Sequence, residues 1–319
     1  MKKVLKVTRM ALLWFSGIIL GLVIISAVTH NILKIMEKNK YKIGQTVHVD
    51  GKKMQAYVTG SGEKTIVLLS GLGTPSPIID FMPLAERLST DYKVVILEPF
   101  GYGFSDTTKE VRSNENIVND IRSALKELKI SGPYVLMPHS ISGIYSMYYA
   151  EKYPSEVEAI IGIDESMPNQ TKVEKDTEMP PYLSLLNTSG IVRDAIYLFP
   201  SADNGMNKNN YYSEEQLKIK KMATAWNSLD VSVLNELNMA DTNSSELYDV
   251  KYPHELPVLS FLSKDSVDED EKWLPFHEEV ISNPVIQRIE ILPGEHYLHW
   301  TNADKIAEMT KEFISLHLK

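Results

Sequence analysis

Short, unbroken apolar runs recur along this 319-residue chain, each cut off by a turn and most of them followed by a stretch of helical periodicity. Thr65–Leu69, Lys93–Leu97, Tyr134–Met137 and Ala159–Ile163 are runs of this kind, and Ile78–Leu88, Ser113–Leu128 and Ile144–Lys152 are helical stretches between them. A continuous apolar run suits a strand buried on both faces, whereas a half-exposed strand alternates. Strands that alternate with helices of roughly 10–15 residues imply an α/β protein, with a mostly parallel sheet and helices on both sides.

The alternation has a prelude and an interruption. Thr46–Val49 and Met54–Val58 flank Asp50-Gly51, a hairpin signal ahead of the first buried strand. From Glu165 to about Pro253 no buried strand is apparent; the sequence is polar and helix-prone, with an Asn-rich stretch at Asn204–Asn210. The pattern resumes at Pro257–Leu262 and Val285–Leu292 and closes with a helix over Asn302–Leu318. The expected organisation is a core over residues 36–164 and 254–319, with 165–253 inserted as a helical cap.

Residues 1–35 stand apart. Met10–Thr29 carries no charge, and about 20 helical residues cover the roughly 30 Å of a bilayer core. Lys2, Lys3, Lys6 and Arg9 precede it, which favours a cytoplasmic N-terminus, although Lys34, Lys38, Lys40 and Lys42 follow. A cleaved signal peptide is the rival reading, but its apolar region is normally shorter and Ala27 offers a poor cleavage site. The reading adopted is an uncleaved signal anchor in the cell membrane, single-pass, with the remaining chain on the outer face.

Composition removes several classes of function. A net charge of -9 and the lack of a long Lys/Arg cluster argue against nucleic acid as a partner. Cysteine is absent, which excludes thiolate nucleophiles, disulfides and Cys-bound zinc. No His/Asp/Glu cluster has metal spacing and no phosphate-binding glycine fingerprint occurs, so no metal or other cofactor is expected.

The chemistry centres on Tyr134-Val135-Leu136-Met137-Pro138-His139-Ser140-Ile141-Ser142-Gly143. This reads as strand, tight turn and helix, with Ser140 at the apex beside the unpaired N–H groups of a helix start. A serine there can attack a carbonyl while those amides receive the developing oxyanion, although a serine that merely caps a helix has the same local pattern. A serine nucleophile needs a base, usually histidine oriented by a carboxylate. Of eight histidines, His296 alone follows a resumed strand in a glycine turn, Leu292-Pro293-Gly294-Glu295-His296. Asp265 ends the run Leu259–Asp265 in the same manner. In a parallel sheet such strand ends converge on one edge.

These segments, in this order, resemble the α/β-hydrolase superfamily over about Thr46–Leu318, together with the loop Gly101-Tyr102-Gly103-Phe104-Ser105-Asp106. The resemblance implies Ser140 as nucleophile, His296 as general base and Asp265 as orienting acid. It also implies an oxyanion hole from the backbone amides of Leu72 and Ile141. Asp268 is the next choice of acid, and Asp164 and Glu165, ending the preceding strand, are a second position for it. The usual Gly-x-Ser-x-Gly elbow carries Pro138 and Ser142 in place of its glycines, and Ser70-Gly71 stands where His-Gly is usual. His139 is expected to pack rather than catalyse, and His299 and Trp300 to cover the base.

The function expected is a membrane-anchored serine hydrolase cleaving carboxylic esters, with a small-molecule ester or peptide as substrate. The resemblance disfavours the dehalogenase and epoxide-hydrolase branches, which use an aspartate nucleophile. One alternative is a proline-iminopeptidase-like aminopeptidase, with Glu165 or Glu174 gripping a free amine; Glu165 is otherwise a polar wall of the pocket. A non-catalytic binding protein on the same scaffold is the other. Tyr182, Leu183, Leu185, Leu186, Tyr197, Leu198 and Met222 could line an acyl site or bury a small core of the cap's own.

Overall fold

The computed structural model describes residues 2–172, 179–199 and 205–318. Eight strands form one sheet: β1 (Gln45–Val49), β2 (Lys52–Thr59), β3 (Thr65–Leu69), β4 (Lys93–Glu98), β5 (Tyr134–Pro138), β6 (Val157–Ile163), β7 (Val258–Ser263) and β8 (Gln287–Leu292). Their spatial order is β1-β2-β4-β3-β5-β6-β7-β8. The β1–β2 and β2–β4 pairs are antiparallel, and every pair from β4 to β8 is parallel. Asp50 and Gly51 both take positive φ, 48° and 77°, as a two-residue hairpin turn following the strand twist requires.

The helices are α1 (Lys2–Lys40), α2 (Pro77–Leu88), α3 (Asn114–Glu127), α4 (Ser142–Lys152), α5 (Ser184–Thr188), α6 (Ile191–Leu198), α7 (Glu214–Asn227), α8 (Val231–Ser245), α9 (Lys264–Glu269), α10 (Trp273–Val280) and α11 (His299–His317). All residues of β3, β5 and β7 are buried. Because side chains alternate along a strand, the sheet feeds two separate cores. Val67, Leu69 and Leu136 join residues of α3 and α4 on one face. Ile66, Leu68, Val135 and Met137 join α2 and α11 on the other.

Between β6 and β7 the described residues hold helices and no strand. Helix α7 starts from a reciprocal capping box, Ser213 with Gln216. Its Ile219, Met222, Ala223 and Trp226 pack with Ile79 of α2 and Trp300 of α11 in a third apolar cluster. Helix α1 is apolar and long enough to cross a membrane by length and composition, and it runs on to Lys40, past the expected boundary at residue 35.

Several boundaries differ from expectation, β2 and β6 each beginning two residues early. Strand β8 begins at Gln287, two residues late, because Val285 lies exposed in the preceding turn. Helix α11 begins at His299 and breaks its dihedrals at Asn302 (φ -120°, ψ 20°), whose side chain donates to the Pro293 carbonyl at 2.9 Å. That asparagine ties the kink to the turn that carries His296.

Candidate active site

The turn between β5 and α4 holds Ser140 at φ +54°, a left-handed conformation that costs a non-glycine residue and is tolerated only where the surroundings impose it. The surroundings are tight. A Cβ added at Gly71 would lie 2.9 Å from the Ser140 Cβ, and one at Gly143 would lie 2.5 Å from the Ser166 carbonyl oxygen. The Ser140 carbonyl accepts from the Gly143 and Ser166 amides, at 2.9 and 2.8 Å. Ser142 is accommodated because its buried hydroxyl donates to the Ser70 carbonyl at 2.6 Å, which ties the elbow to the turn after β3. The glycine that close packing demands is therefore Gly143, one residue beyond the usual elbow position.

Ser140 Oγ lies 3.0 Å from His296 Nε2, and His296 Nδ1 lies 2.8 Å from Asp164 Oδ2. A carboxylate only accepts, so Nδ1 carries the proton and Nε2 presents its lone pair to the serine. Asp164 follows β6 at φ +44° and is wholly buried. Its Oδ1 also accepts from the Ser263 amide at 2.8 Å and Trp273 Nε1 at 2.9 Å, and its Oδ2 from Ser266 Oγ at 2.6 Å. Four donors thus converge on a carboxylate with no access to water and hold it in place.

Asp265 does not meet His296. It is exposed in the first turn of α9, where its amide donates to the Gly294 carbonyl at 3.2 Å. Asp268 is paired with Lys264 at 2.7 Å on the outer face of the same helix. Strand β7 passes directly into α9, with Ser263 accepting from the Ser266 amide as its cap, and this turns both carboxylates outward. The carboxylate that His296 meets lies one strand earlier, at Asp164.

Glu165 is not a pocket wall. It is fully buried against Gly162 and Gly143, accepts from Ser260 Oγ at 2.5 Å, and burial pushes its carboxyl above the ordinary range. Glu174, the other residue considered for gripping an amine, lies outside the described residues.

The amides of Leu72 and Ile141 donate to no group among the described residues, and they flank the serine from the β3 turn and the start of α4. The Leu72 turn is held from outside. Tyr102 OH accepts from the Gly73 amide at 3.1 Å and donates to Glu236 of α8 at 2.8 Å. Tyr145 OH donates to the other oxygen of Glu236 at 3.0 Å. Burial raises the pKa of Glu236 and of both tyrosines, and the nearby charge of Arg112 opposes that rise. Sequence reading missed Glu236, Trp273 and Ser266, because nothing local distinguishes them from ordinary helix residues.

His139 supports the base without joining the relay. Its Nε2 donates to the His296 carbonyl at 3.1 Å, and burial, with the neighbouring His296 and His299 rings, holds it neutral, well below its ordinary pKa. His299 and Trp300 do not cover His296. Both bind the buried carboxylate of Asp80 on α2, at 2.7 and 2.9 Å, and clamp α11 to that helix. The rings beside His296 are Trp273, Tyr297 and His139. Of the cap residues considered for an acyl site, Met222 is buried in the third cluster, and Tyr182, Leu185 and Leu198 are exposed on the outside. Among the described residues no group of His, Asp and Glu could hold a metal ion.

Comparison with known proteins agrees with this architecture. A family model described as alpha/beta hydrolase fold matches residues 64–303. The chain is 30% identical over 284 residues, 85% of each chain, to the uncharacterised protein YbdG of Bacillus subtilis. Among solved structures it resembles an epoxide hydrolase of Vigna radiata (19% identity, TM-score 0.64, covering 85% of this chain and 97% of that one). It also resembles a thermophilic esterase of Thermogutta terrifontis (17% identity, TM-score 0.63, covering 86% and 98%). At such identities these structures share the fold alone.

Proposed function

The chain belongs to the α/β-hydrolase fold family, and on that premise we propose that it is a membrane-anchored serine hydrolase that cleaves carboxylic esters through an acyl-serine intermediate. The observation that carries the proposal is the unbroken relay Ser140 Oγ–His296–Asp164. His296 Nε2 takes the hydroxyl proton as Ser140 attacks the ester carbonyl, and the Leu72 and Ile141 amides receive the oxyanion. Asp164 keeps the imidazole in the required tautomer and stabilises the imidazolium that forms. The imidazolium then protonates the departing alcohol. Water, activated by the same histidine, releases the acid and restores Ser140.

The nucleophile separates this reading from epoxide opening. A serine oxygen that opened an epoxide would be left in an ether, which water does not cleave under these conditions. A serine acyl ester turns over. The aminopeptidase alternative has no support in the described residues, since Glu165 is fully buried and bonded to Ser260. Helix α1 supplies the anchor, and the basic residues before it favour an extracytoplasmic catalytic region.

A fluorophosphonate probe tests the reading. The full-length protein should be labelled, and Ser140→Ala should lose the label. A folded parent that takes none, and fails to hydrolyse p-nitrophenyl esters, would remove the enzyme and leave a binding protein. Faster cleavage of proline anilides than of p-nitrophenyl esters would instead favour the peptidase.

A further inference from the structure

We propose that the α5–α6 hairpin of the cap is a second membrane contact, its apolar side chains sunk in the interfacial layer of the bilayer that α1 crosses. The inference rests on the reading of α1 as a membrane anchor. Its basis is the fixed height at which the hairpin meets that helix. Gly190, between α5 and α6, takes φ +82°, and a Cβ there would lie 2.5 Å from Ser26 Oγ and 2.9 Å from the His30 Cβ. Ser26 Oγ donates to Asp194 at 2.6 Å, and Asn31 Nδ2 donates to the Thr188 carbonyl at 3.2 Å. Arg193 of α6 forks onto both oxygens of Glu37 of α1, at 2.9 and 2.7 Å. These contacts span more than two turns of α1 and leave the hairpin little freedom to shift along it.

That height is at the membrane edge. The uncharged run of α1 ends at Thr29, and Ser26 lies three residues before it, about 5 Å along the axis at the rise of an α-helix. A segment pressed against Ser26 therefore sits within the end of the span. Its composition suits that place. Leu185, Leu198 and Phe199 are 65%, 72% and 78% exposed, and Leu186 and Ile191 are also exposed, a density of bare apolar side chains that water disfavours. Ile24, Ile25 and Val28 of α1 are exposed at the same level. Tyr182 and Tyr197, also exposed, are aromatic types enriched where hydrocarbon meets headgroups. Such a short apolar face lies in the interfacial plane rather than spanning the bilayer.

The absence of cysteine makes a direct test convenient. Single variants Leu185→Cys, Leu198→Cys, Leu20→Cys and Glu151→Cys of the full chain would each carry a nitroxide. They would be reconstituted into vesicles of phosphatidylethanolamine and phosphatidylglycerol in equal parts, with folding checked by near-ultraviolet circular dichroism. Collision with dissolved oxygen reports lipid, and collision with a water-soluble nickel chelate reports solvent. Labels at 185 and 198 should resemble the one at 20, oxygen-rich and nickel-poor, with the label at 151 reversed. If position 20 is in lipid but 185 and 198 behave as 151 does, the hairpin contact is refuted and the anchor stands. If position 20 is itself aqueous, anchor and contact fall together. Spin–spin broadening at 185 and 198 that disappears on dilution with unlabelled protein would show a second copy of the chain covering the face and overturn the proposal.

Discussion

Strands β6 and β7 are neighbours, run parallel, and are each followed within two residues by an aspartate. After β6 the backbone takes one left-handed residue, and Asp164 turns into the protein, where it meets an amide, an indole, a hydroxyl and His296. After β7 the chain enters α9 at once, and Asp265 is left on an exposed first turn. Two residues of one chemical type, a strand apart, therefore differ wholly in what they can do. Backbone conformation at the strand end decides which carboxylate meets His296.

The largest expected effect follows from breaking the inward member. Asp164→Asn offers an amide where a carboxylate accepted four donors, so it opposes the required imidazole tautomer. Ester turnover should drop about ten-thousand-fold with the substrate KM little changed, as read by steady-state kinetics. Trp273→Phe keeps most of the ring but removes one donor to that carboxylate. About a tenfold loss in kcat is expected, in line with a hydrogen bond to a charged group. A variant within twofold of the parent would mean that the remaining donors suffice to hold Asp164.

Glu165 tests the same strand end through stability. Burial raises its carboxyl pKa, so above the ordinary carboxyl range the unfolded chain ionises more readily than the folded one. Its contribution to stability is thus full at acid pH and is lost as pH rises through the folded-state value. Glu165→Gln should melt about 2 °C above the parent near pH 8, with the gap closing near pH 4. The reverse pH trend in paired thermal scans would contradict a buried, protonated side chain. Asp265→Asn is the smallest effect and completes the contrast: activity within about twofold of the parent, since an exposed charge remote from the relay contributes little. A loss approaching that of Asp164→Asn would return the acid to the end of β7.

The readings that came directly from residues succeeded where the signal is local. Apolar runs located the parallel strands, Asp50-Gly51 located the hairpin, and a serine between strand and helix located the elbow, all properties of a few consecutive residues. Asp265 was preferred to Asp164 as the partner of His296 because both stand near strand ends in sequence, and a left-handed φ at Asp164 has no marker as glycine does. Glu165 resembled a pocket residue for the same reason: its direction depends on Gly162 and Gly143 leaving room beneath it. His299 and Trp300 were assigned to the base from adjacency, whereas the helix they begin carries them toward Asp80.

Order and periodicity along the chain were enough to establish a mostly parallel α/β sheet, an interrupting helical segment and an apolar leading helix, because hydrophobic patterning is written in neighbouring residues. Which carboxylate completes the relay, which cap residue steadies the Leu72 turn, and where the cap meets α1 were decided only by the folded chain. Each depends on side chains brought together from positions far apart in sequence, and burial then gives identical residue types different chemistry.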